Sequence, residues 1–189
     1  MKRLLTVFIF FMTCVYIQAQ DFTWDLKFLK GRSNESVPVS QIIRMGTGET
    51  FQFTVNSDVN VYCYIICYDS QRQIMVMFDQ QLTALQEAFF GPFRLTKPSG
   101  TETIYVIMSQ GKQSNLETLI RNFRNNPQTR RHTNNLHREV VNLQNSVSRL
   151  GEPASSFIPS DGTTRGNTQP FVTRFSEKNM YVRAITIRH

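Results

Sequence analysis

A mainly β domain, an antiparallel β-sandwich carrying a two-helix insertion near its C-terminal half, is the fold class this sequence predicts. Three patterns carry that expectation. Residues 22–28 (FTWDLKF) and 51–56 (FQFTVN) alternate apolar with polar side chains, the period of a half-buried strand. Residues 61–68 (VYCYIICY) are apolar or aromatic on both faces, as a strand covered on both sides must be. Helical spacing of apolar residues begins only after residue 112, which makes the helices an excursion from a β framework.

The first element in chain order is a leader. Residues 1–19 (MKRLLTVFIFFMTCVYIQA) open with Lys2 and Arg3, continue through an apolar core from Leu4 to Phe11, and offer the small Ala19 before a cut. This is the form of a cleavable export signal, placing the mature N-terminus at Gln20 or Asp21 and the protein in the periplasm or at the cell surface or beyond. An uncleaved anchor would need about 20 apolar residues. A lipoprotein based on Cys14 would need a Leu-small-small approach where the chain has Phe11-Met12-Thr13. No second apolar segment of spanning length follows. Residues 20–189 suffice for one hydrophobic core and are read as one domain.

The strands follow. After 22–28 and 51–56, Ser57-Asp58 turns the chain into the 61–68 run, and Asp69-Ser70-Gln71-Arg72 turns it again into 74–78 (IMVMF). Gly91-Pro92 and Lys97-Pro98-Ser99-Gly100 are read as breakers ahead of 103–108 (TIYVIM). Short strands at this spacing argue for a sandwich. Ser114 with Glu117 is the reciprocal capping pair of a helix start, and Leu116, Leu119, Ile120 and Phe123 share one face until Asn125-Asn126-Pro127. A second helix is expected over 135–150, with Leu136, Val140, Leu143, Val147 and Leu150 as its stripe and Gly151-Glu152-Pro153 as its stop. The insertion therefore occupies 113–150. Residues 151–170 are loop by composition, and 171–175 with 180–187 read as a terminal hairpin across Glu177-Lys178-Asn179.

Part of the β block resembles a known family. The strand opened by Gly48-Glu49, the aromatic strand Tyr62 to Tyr68, the polar turn into Met75 to Phe78, and Lys97-Pro98-Ser99-Gly100-Thr101-Glu102 leading into Ile104 to Ser109 are similar in order and spacing to the bacterial envelope family catalogued as domain of unknown function forty-three eighty-four. The resemblance covers residues 49–109 and departs at Phe78-Asp79-Gln80, where the family has a hydrophobic-Phe-Pro-Asn turn. Members occur alone in exported proteins or attached to caspase-like peptidases. The resemblance implies a β accessory or binding domain without established catalysis.

The residues point the same way. On a strand, Cys63 and Cys67 face one side but sit roughly 13 Å apart, beyond the roughly 4–7 Å a disulfide spans between Cα atoms; they read as buried thiols packing like small hydrophobes. His132, His137 and His189 share no helical face, and no His-Glu-x-x-His or Cys-x-x-Cys element accompanies them, so solvated or capping roles are expected and no metal is assigned. Ser99-Gly100 lacks the Gly-x-Ser-x-Gly of a nucleophile elbow. Gly46 and Gly48 lack the third glycine and helix of a dinucleotide loop. Asp79 and Glu87 form a carboxylate pair of unstated separation. No catalytic residue, cofactor or enzymatic activity is assigned. The alternative is an enzyme-associated domain, or a small hydrolase whose active groups the sequence does not display.

Charge singles out one segment. The chain carries +7; without Lys2 and Arg3, 19 basic residues face 14 acidic ones, a surplus of +5. Between 121 and 149, Arg121, Arg124, Arg130, Arg131, Arg138 and Arg149 stand against Glu139 alone, also +5, so the rest of the mature chain is balanced. These six arginines are the predicted partner-binding residues, with Arg130-Arg131-His132 placed in the inter-helix loop. Guanidinium forks suit the oxyanions of an acidic envelope protein, an anionic surface or a glycan; export excludes nucleic acid. The face bearing Tyr62, Tyr64 and Tyr68 is expected to pack beneath the helices rather than to serve recognition.

Overall fold

The computed structural model describes residues 21–33, 35–148, 156–157, 172–177 and 179–189. The leader with Cys14, Arg149, Leu150 and most of the 151–170 loop lie outside them. In chain order the elements are β1 (Phe22–Lys30), β2 (Glu35–Val37), β3 (Ile43–Arg44), β4 (Thr50–Ser57), β5 (Val61–Tyr68), β6 (Ile74–Leu82), β7 (Ala88–Arg94), β8 (Thr101–Ser109), α1 (Ser114–Asn125), α2 (Arg130–Ser148), β9 (Ser156–Phe157), β10 (Thr173–Glu177) and β11 (Met180–Arg188). One sheet runs β7-β4-β1-β10-β9 with β2 also on β1, and the other runs β3-β11-β8-β5-β6. All pairings are antiparallel except β3 with β11. The fold is mainly β, two sheets face to face, with both helices in the C-terminal half. No helix among the described residues is long and apolar enough to cross a membrane.

Alternation along β1 buries Phe22, Trp24, Leu26 and Phe28 on one face, which meets the second sheet. Aromatic rings join the two layers. Trp24 stacks on Phe175 with centroids 4.4 Å apart and meets Tyr181 of the other sheet at 5.2 Å. Phe78 of β6 meets Phe90 of β7 edge-on at 5.0 Å. Strand β5 is central to its sheet, between β8 and β6. Its odd-numbered residues Val61, Cys63, Ile65 and Cys67 face the first sheet, and its even-numbered residues face the helices. The helices therefore form a third layer, with α1 against α2 and α2 on β11.

Several expectations need correction. The terminal hairpin is a crossover: β10 belongs to the first sheet and β11 to the second, and the buried Phe175 and Tyr181 meet between the sheets with tilted rings 5.0 Å apart. Gly91-Pro92 does not break the chain but lies within β7, an edge strand, where a missing N–H is tolerated. Gly91 has φ +115°, and a Cβ there would stand 3.0 Å from the Phe51 carbonyl oxygen. Helix α2 begins at Arg130 rather than 135, so Arg130, Arg131 and His132 form its first turn. The capping pair at Ser114 is not made; Gln113 is the N-cap and has no side-chain cap bond. Glu117 is engaged elsewhere.

Candidate functional site

Helix α1 lies over the helix-side face of β5 and β6, and its contacts there are polar as well as apolar. Leu116, Ile120 and Phe123 are its buried face. Beneath it the buried Tyr64 donates its hydroxyl to Glu117 Oε1 at 3.0 Å and accepts the Gln113 N–H at 3.1 Å. Burial pushes the Tyr64 phenol well above its usual range, and the adjacent Glu117 carboxylate adds to the shift. Glu117 also pairs with Lys112 at 2.9 Å, which raises the lysine. The same glutamate that fails to cap α1 thus docks its first turn on β5.

At its other end α1 is tied to β6. Arg124 grips Asp79 through both guanidinium nitrogens, each bond 2.8 Å. Between these two ties a cleft of about 620 Å³ runs along α1, lined by Tyr62, Asp79, Lys112, Glu117, Arg121 and Arg124 among others. A second cleft of about 510 Å³ lies at the inter-helix corner, lined by Tyr68, Arg72, Phe123, Pro127 and Arg130 among others. Beside it the His137 imidazole of α2 stacks on the Tyr68 ring, 4.0 Å between centroids and 9° between planes. Burial lowers its pKa.

The six predicted arginines separate by role. Arg121 and Arg124 line the first cleft and Arg130 the second, whereas Arg131 and Arg138 are exposed on α2 and line neither. Arg149 lies outside the described residues. Arg124 is a structural tie. Arg121 reaches only the Thr118 hydroxyl at 3.5 Å and Arg138 the Asn135 side-chain oxygen at 3.2 Å. Among the described residues no carboxylate lies within ion-pair distance of Arg121, Arg130, Arg131 or Arg138. Lys112, Glu117, Asp79 and Arg72 were not singled out from the sequence as parts of this site, because a helix-to-sheet contact depends on register that local pattern does not carry. In particular, Asp79 reaches the Tyr64 register only after a bulge in β6 at Met77.

The cysteines and histidines take other places. Cys63 and Cys67 are free and buried; burial raises both thiols, that of Cys67 up to about 12. His189 is neither solvated nor a cap. Its ring is enclosed, with Nε2 3.2 Å from Glu102 Oε1 and Nδ1 3.5 Å from Thr47 Oγ1, and Thr47 Oγ1 lies 3.1 Å from Ser99 Oγ. Sequence separations of 52 to 142 residues hid this hydroxyl–imidazole–carboxylate chain. Among the described residues no cluster of three or more His, Cys, Asp or Glu could hold a metal ion. No family model, no curated protein and no solved structure matches this chain.

Proposed function

We propose that this protein is an exported, noncatalytic accessory module of the bacterial cell envelope that engages an acidic protein partner through the arginine-bearing face of its helical layer. One contrast carries the reading. Arg124 and Arg174 each clamp an internal carboxylate with two nitrogens, while Arg121, Arg130, Arg131 and Arg138 have none within reach among the described residues. Arg130 and Arg131 also stand in the first turn of a 19-residue helix that has no acidic residue there, where they oppose the helix dipole. A cluster that is unfavourable within the molecule gains most from an anion supplied from outside. The leader and the resemblance of residues 49–109 to an envelope family support the compartment.

In-cell photocrosslinking from the exposed Asn134, between Arg131 and Arg138, tests this reading. The expected result is one discrete protein adduct that disappears when Arg130→Glu and Arg131→Glu are introduced together. An adduct indifferent to charge reversal, or adducts only with lipid or glycan, would sink it.

The Thr47–His189–Glu102 chain favours a second reading, a small hydrolase. With Nε2–H donating to Glu102, Nδ1 is free to accept the Thr47 hydroxyl proton, the division of labour of a hydroxyl–histidine–carboxylate triad. Turnover of an aryl-ester panel lost in Thr47→Ala and His189→Gln would establish this reading, and absence of turnover would dismiss it.

A further inference from the structure

We infer that the free edge of β6 is where the acidic partner docks, as an added strand whose side chains alternate between acidic and apolar. The inference deepens the binding-module reading and rests on it. Among the described residues strand β6 ends its sheet and pairs only with β5, and it runs nine residues as IMVMFDQQL without a lysine or a proline. Long edges usually carry such devices against pairing. The adjacent edge strand β7 has one, Pro92. On β6 the one such device is the bulge at Met77, which leaves residues 74–76 and 78–82 on either side of it open to pairing.

The two sides of this edge differ in chemistry. On the helix side, where Asp79 and Gln81 stand opposite Tyr64 and Tyr62, the two clefts carry Lys112, Arg121, Arg124, Arg72 and Arg130 against Asp79 and Glu117. Both carboxylates are already paired within the clefts, to Arg124 and Lys112. Arg72, Arg121 and Arg130 remain as the surplus.

On the other side the edges of the two sheets part around a mouth of about 370 Å³ with a mixed lining, in which Phe51, Met75, Met77 and Phe93 stand beside Asp69 and Glu102 among others, so its apolar part lies at the two methionines and two phenylalanines. Met75 is 60% exposed there. An antiparallel or parallel strand added to β6 places alternate side chains on opposite faces of the sheet. One set points at the surplus guanidiniums and the other covers the mouth. Acidic residues satisfy the first set and apolar residues the second, so the recognised segment alternates with a period of two.

A nine-residue peptide of alternating Glu and Val, acetylated and amidated, is the probe, read by hydrogen exchange of the purified protein. Binding tighter than about 1 mM is expected, with exchange slowed across residues 74–82. Replacing the Glu residues by Lys, or N-methylating alternate peptide amides, should each weaken binding at least about tenfold, because each removes one of the two recognition elements. Arg121→Glu should reduce binding of the Glu peptide and favour the Lys peptide. No binding at about 1 mM, binding that leaves 74–82 unprotected, or protection of 74–82 by self-association without peptide would each overturn the inference. If the peptide fails while the Asn134 crosslink persists and stays sensitive to charge reversal, the edge is wrong and the binding module stands. Loss of the crosslink itself removes both.

Discussion

The two faces of β5 are built from one eight-residue strand, yet they make different kinds of interface. Val61, Cys63, Ile65 and Cys67 enter a buried apolar layer against the first sheet, where Trp24 packs on Phe175, Phe28 on Phe51 and Phe53 on Phe90. Tyr62, Tyr64 and Tyr68 meet the helices through a shared carboxylate, a stacked imidazole and two open clefts, beside the buried Ile66, Leu116 and Ile120. Apolar burial is non-directional and holds all three layers together, while the directed polar contacts of the second face fix how the helical layer sits on β5. The first face specifies the fold. The second orients the candidate site.

Truncation costs most at the first face. Phe53→Ala removes a fully buried ring that stacks on Phe90 at 5.2 Å, and urea denaturation should register a loss of about 3–5 kcal/mol. On the second face Tyr64→Phe keeps the ring and deletes one hydroxyl, leaving Glu117 and the Gln113 N–H without it. The expected loss is about 1–2 kcal/mol in the same measurement, with increased amide exchange in the first turn of α1 as the local signature. A cost for Tyr64→Phe equal to that for Phe53→Ala would erase the distinction.

The second face also responds to pH, through His137. Burial against Tyr68 lowers its folded-state pKa below the ordinary 6.5, so between those two values the unfolded chain binds more protons than the folded one. Its contribution to stability is therefore present above 6.5, falls as pH drops through the lowered value, and levels off below it. Unfolding free energy measured from pH 8 to pH 4 should lose this slope in His137→Phe. An identical pH profile in the variant would show that the imidazole titrates unperturbed.

Much of the β framework was legible because its signals are local. The alternation of residues 22–28 and the two-faced apolar run of 61–68 correspond to β1 and β5, and the helical stripes of 116–123 and 136–147 are the buried faces of α1 and α2. What failed was non-local. The strands expected over 171–175 and 180–187 lie at 173–177 and 180–188, and nothing in their own pattern says that they serve different sheets. The capping signature at Ser114 and Glu117 lost to a better partner, Tyr64, 53 residues away. For the site, net charge located the arginines without sorting them. Asp79, which converts Arg124 from a ligand into a tie, reaches its position through a bulge that no residue pattern announces.

The claim that the unpaired arginines serve a partner rather than the fold has a direct thermodynamic test. Arg130 and Arg131 oppose the dipole of α2, and acidic replacements in the same first turn would complement it. Equilibrium urea unfolding of the Arg130→Glu, Arg131→Glu double variant at low salt should therefore show stability unchanged or raised, by about 0.5–1 kcal/mol per position. The gain should shrink in about 1 M salt, where such interactions are screened. Stability unchanged or raised in the variant that has lost its Asn134 adduct is the predicted result. A double variant destabilised by more than about 1 kcal/mol would contradict the account, because surface substitutions without a structural role seldom exceed about 0.5 kcal/mol.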